Sequence, residues 1–77
     1  MNDCSISESG LVSRFTLTVT LGVVDGLPTP MSCAWAPRVP RRGELTRADL
    51  RAYQAIRDRT LARFTQATRI RIAVLEV

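Results

Sequence analysis

The sequence predicts a small two-layer α+β domain of ββαβ order, with one helix on one face of a three-stranded, mostly antiparallel sheet. Three observations predict it: a period-two run over residues 11–24, the hairpin dipeptide Asp25-Gly26, and a helix-capping signal at Thr46.

In the first run Phe15, Leu17, Val19, Leu21 and Val23 alternate with Thr16, Thr18, Thr20 and Gly22. β-Branched and aromatic residues at a period of two make a long strand with an apolar face and a threonine face. Asp25-Gly26 supplies the two positive-φ residues of a tight hairpin turn. The second strand then spans residues 27–36, where Pro28 and Pro30 confine it to a sheet edge. Pro37 and Pro40 end it, and residues 38–43 form a basic extended linker.

Thr46 with Asp49 three residues later opens a helix that should run to about Gln66. Leu50, Tyr53, Ile56, Leu61, Phe64 and Ala67 share its core-facing sector, and Ala48, Ala52, Ala55 and Ala62 its opposite side. Arg57 falls inside the apolar sector and should snorkel outward or meet a carboxylate such as Glu76. Residues 69–77 read as a third strand. Residues 1–10 are Ser-rich and read as a flexible leader, leaving residues 11–77 as the single domain. A right-handed crossover then sets the strand order 2-1-3, and one helix covers one face of the sheet.

Two rules disagree about the other face. A strict two-residue turn pairs Thr20 with Met31, Thr18 with Cys33 and Thr16 with Trp35, which puts the large side chains of the second strand on the threonine face. Burial preference places Trp35, Met31 and Cys33 in the core instead, and a bulge would achieve that by shifting the register by one. Turn chemistry carries the reading here. It leaves an uncovered face bearing Thr16, Thr18, Thr20, Met31, Cys33 and Trp35, and an apolar patch of that kind marks a docking surface.

Composition narrows the function. Histidine is absent, which removes the commonest general base and metal ligand, and the carboxylates Asp25, Glu44 and Asp49 have structural explanations at a turn and near the helix start. Cys4 and Cys33 match no zinc or redox spacing and are expected as free thiols. Catalytic residues, metals and cofactors are therefore not expected. No apolar run approaches the roughly 20 residues that span a bilayer, and no export signal opens the chain, so the cytoplasm is the expected compartment and no membrane the expected partner.

All eleven basic residues are arginine and the net charge is +4. Guanidinium forks bind carboxylates and phosphates bidentately, which favours an acidic partner. Arg38, Arg41, Arg42, Arg47 and Arg51 join the linker to the first helical turns and are the candidate basic contact, beside Trp35, Met31, Thr16 and Thr18 on the open face.

Arginine used to the exclusion of lysine is also what a GC-rich coding sequence produces, and it points to a GC-rich bacterium or one of its phages or plasmids. In size and composition the chain resembles small phage-encoded proteins that disable host machinery, anti-CRISPR proteins among them. No motif carries that resemblance, and it transfers no residue roles. The expected function is non-enzymatic binding by an inhibitor or accessory factor whose partner is a protein or nucleoprotein with an acidic surface. The alternatives are a nucleic-acid-binding module using the arginines, and a homodimer formed through the open sheet face or the edge of the third strand.

Overall fold

The computed structural model describes residues 4–69, which form strands β1 (Cys4–Val12), β2 (Phe15–Val24), β3 (Leu27–Pro28) and β4 (Ser32–Ala36), then helix α1 (Arg47–Thr68). The class is α+β: an antiparallel sheet with one helix. β2 is central, with β1 on one side and β3 and β4 on the other.

The apolar face of β2 is the core. Phe15, Leu17, Val19, Leu21 and Val23 are all buried beneath α1, which contributes Ile56, Thr60 and Phe64. A fully buried side chain of this size contributes about 1.5–3 kcal/mol, so the face of β2 dominates the energetics. Thr60 is fully buried, and its hydroxyl donates to the Ile56 carbonyl at 2.8 Å.

Four expectations are corrected. Residues 4–10 are not a loose leader, because they form most of β1, paired with β2 from Cys4↔Val23 to Val12↔Phe15. The flank of β2 assigned to a third strand is thus taken by β1, while residues 70–77 of that strand lie outside the described residues. Leu50 and Ala67 are exposed, so the buried stripe of the helix is narrower than the wheel implied. Ala52 packs against the core cluster instead of lining the far side.

β1 was hidden because two of its inward positions are not apolar. Glu8 faces the helix and meets Arg59 and Arg63. Gly10 lies under Ile56, whose Cδ1 would stand 2.9 Å from any Cβ placed there. The β1–β2 turn uses Ser13 at φ 59°, with neither glycine nor asparagine to announce it.

The conflict over register resolves through a bulge. Asp25 (φ 53°) and Gly26 (φ 78°) form the expected turn, pairing Val24 with Leu27 and Val23 with Pro28. The Thr29 amide donates to the Gly22 carbonyl at 2.8 Å, yet Thr20 then faces Ser32. Pro30 and Met31 therefore stand together where one residue would oppose Leu21. The shift sends Trp35 opposite Leu17 and Cys33 opposite Val19, on the helix side. Met31 also packs against the core clusters. The expected placement of Trp35, Cys33 and Met31 on the threonine face is corrected.

The helix boundaries follow from their caps. Thr46 accepts from the Asp49 amide at 3.3 Å and the Asp49 carboxylate accepts from the Thr46 amide at 2.7 Å, a complete capping box. At the other end Arg69 (φ 60°) donates its amide to the Thr65 carbonyl at 2.7 Å.

Candidate functional site

α1 packs closely on β1 and β2, whereas it reaches β4 only through side chains, Tyr53 meeting Cys33. The helix-side surface of β4 is therefore roofed only at its margin, and a groove of about 500 Å³ opens there. Trp35 from β4, Leu50 and Tyr53 from α1, and Leu45 from the linker supply its apolar surface. Leu50 is 53% exposed and Leu45 36%, so the groove offers apolar surface to solvent. Burial and the adjacent Cys33 thiol raise the pKa of the Tyr53 hydroxyl, so it stays protonated.

Trp35 is anchored from beneath. Its ring meets Phe15 edge-on, with centroids 6.4 Å apart. The guanidinium carbons of Arg14 and Arg38 lie 5.5 and 5.3 Å from the Phe15 ring centre. Glu44 clasps both arginines, with Arg14 donating one bond and Arg38 two, at 2.6 and 2.9 Å, and the Arg41 amide adding a fourth at 2.6 Å. These bonds, led by Arg38, pull the Glu44 pKa from its ordinary 4.5 to about 2. The clasp fixes the linker beside the groove.

The arginines divide into two kinds. Arg14 and Arg38 are committed to Glu44, Arg59 and Arg63 to Glu8, and Arg57 lies 3.6 Å from Asp58. The expected meeting of Arg57 with Glu76 falls outside the described residues. Among the described residues, Arg69 at the helix C-cap and a group of four, Arg41, Arg42, Arg47 and Arg51, have exposed side chains with no ion-pair partner. All four belong to the linker and the first helical turns, and Arg47 itself lines the groove.

The residues singled out from sequence thus separate. Trp35 and Arg47 share the groove, with Arg41, Arg42 and Arg51 on the adjoining segments, whereas Arg38 belongs to the clasp and Met31 to the core margin. Thr16 and Thr18 lie on the opposite side of the sheet. Among the described residues that face is uncovered; its middle is polar, while Leu11, Val24 and Leu27 expose apolar side chains toward its ends. Ser9 bonds Thr18 and Ser7 bonds Thr20, each at 2.8 Å, beside Ser32, Ala34 and Ala36. A shallow depression there is lined by Ser5, Thr20, Thr29 and Ser32 together with Cys4, Gly22, Val23 and Val24. Leu45 and Leu50 were missed as site residues because a helical wheel carries no information on how wide a sheet the helix must cover.

Among the described residues no cluster of acidic or thiol side chains could hold a metal ion, and no helix is long and apolar enough to cross a membrane. Both cysteines are free. Compared with known proteins, the chain matches no family model, no curated protein and no solved structure.

Proposed function

We propose that this chain is a non-enzymatic binding protein that seats an apolar side chain of an acidic protein segment in the groove between Trp35 and Leu50. The observation that carries the reading is an exposed apolar groove lined by the unpaired Arg47, with Arg41, Arg42 and Arg51 on the adjoining segments, while Asp49 in the same lining is held by the capping box. The groove supplies a desolvated anchor point, and the arginines supply steering and sign. An inhibitor or accessory factor acting on host machinery inside a bacterial cell fits this reading.

An apolar anchor favours a protein segment over a nucleic acid, because phosphate contacts gain nothing from Leu45 and Leu50. The test uses a panel of short fluorescent peptides, each with one large apolar residue among aspartates and glutamates, and a short DNA duplex for comparison. Peptide binding should weaken by about tenfold or more in Leu50→Glu and severalfold in the Arg41→Ala/Arg42→Ala double variant. Duplex binding that is tighter, steeply salt-dependent and indifferent to Leu50→Glu would support the nucleic-acid alternative instead. If no peptide binds, the reading fails.

A further inference from the structure

The two outer edges of the sheet are built differently. β1 carries Glu8 pointing inward, and an inward charge on an edge strand discourages a further strand from pairing there. β4 carries no charge at all: Ser32, Cys33, Ala34, Trp35 and Ala36 run between Pro30 and Pro37.

Which backbone groups face outward follows from alternation. Gly22 and Thr29 bond each other, so the even-numbered residues of β2 aim their backbone groups at β3 and β4. Thr20, Thr18 and Thr16 therefore hydrogen-bond Ser32, Ala34 and Ala36. The N–H and C=O groups of Cys33 and Trp35 then point away from the sheet. Among the described residues no strand pairs with that side of β4, and α1 touches β4 only on its helix-side face, through side chains such as Tyr53 at Cys33.

We propose that the acidic partner segment binds as an added β-strand along β4, bonded to the outward backbone groups of Cys33 and Trp35. This rests on the binding role assigned to the groove above and specifies the form of the ligand. β4 is an outer strand among the described residues, and an added strand lies about 4.8 Å from it, whereas a helix with its side chains is about 10–12 Å across. A strand fits beside β4 where a helix would overhang. Its alternate side chains point to the helix side, next to Trp35 and the groove. β4 runs directly into the linker, so an acidic residue at the end of the segment beside Ala36 lies nearest to Arg41 and Arg42. The five residues of β4, within the six that separate Pro30 from Pro37, set the length of the pairing.

Proline separates this mode from simple groove filling. At position 33 it removes an outward donor and leaves the bonds between β2 and β4 in place. Using the tightest peptide of the acidic panel, Cys33→Pro should weaken binding by about tenfold or more relative to Cys33→Ser, with melting temperatures that stay close. In the unaltered protein, saturating peptide should slow hydrogen exchange at the Cys33 and Trp35 amides, a measurement that holds even if the proline variant unfolds. Unslowed exchange at both amides, with binding still lost in Leu50→Glu, overturns strand addition while the groove reading survives. Binding indifferent to both Cys33→Pro and Leu50→Glu ends both. Peptide binding that appears only after deletion of residues 70–77 also overturns the proposal, since the site would then belong to this chain's own segment. A shift from dimer to monomer on Cys33→Pro would name a second copy as the occupant and overturn it as well.

Discussion

Leu17 and Trp35 face each other across the helix side of the sheet, one residue out of step with the register in which the Asp25-Gly26 turn begins. The bulge at Pro30 and Met31 creates that pairing, and it puts the lone tryptophan edge-on to Phe15. Trp35 is half-buried, so Trp35→Ala loses packing as well as a groove wall. The expected cost is about 2 kcal/mol, below the 3–5 kcal/mol of a fully buried tryptophan. Urea unfolding measures it. Trp35→Phe should recover about half the loss by restoring an aromatic contact with Phe15. An unchanged urea midpoint in Trp35→Ala would show that the tryptophan contributes nothing to the core.

Gly10→Ala tests the closest approach of β1 to the helix. The new Cβ would stand 2.9 Å from Ile56 Cδ1 and 3.0 Å from Cγ1, in a core where Ile56 is almost fully buried. Overpacking should destabilise by about 1–3 kcal/mol. The double variant with Ile56→Val clears the nearest atom and should cost less than the two single changes summed. Strict additivity would mean that the two residues do not press on each other.

Glu44 sets an acid limb on the stability profile. Its pKa is depressed in the fold to about 2 from the ordinary 4.5. The stabilisation is therefore complete above about pH 4.5 and disappears as pH falls toward 2. Glu44→Gln removes this contribution, so the difference in melting temperature between the two proteins should be largest near neutral pH and shrink steadily across that window. A constant difference from pH 7 downward would place the titration elsewhere.

Glu8→Val exchanges an inward charge for an apolar side chain. The lost pairs with Arg59 and Arg63 are partly exposed and should cost at most about 1 kcal/mol. The larger effect should be self-association, because the β1 edge loses its guard. Light scattering at rising concentration should show aggregates in Glu8→Val and none in Glu8→Gln, which keeps a polar group at the edge.

Local rules in the chain determined much of this protein. The alternation of β2, the Asp25-Gly26 turn and the Thr46 capping box each depend on residues close in sequence, and each stands as read, whereas the basic linker is not extended throughout but turns over residues 41–44 around Glu44. Only the tertiary structure decided the rest. β1 became visible as a strand through Glu8 meeting Arg59 and Arg63 and through Gly10 making room for Ile56, partners some fifty residues away. The side on which Trp35 lies depended on one extra residue in a bulge, where the gain from burying aromatic surface outweighed one lost ladder position. The groove exists because α1 lies across β1 and β2 and reaches β4 only through side chains, a consequence of helix placement that no short-range pattern encodes.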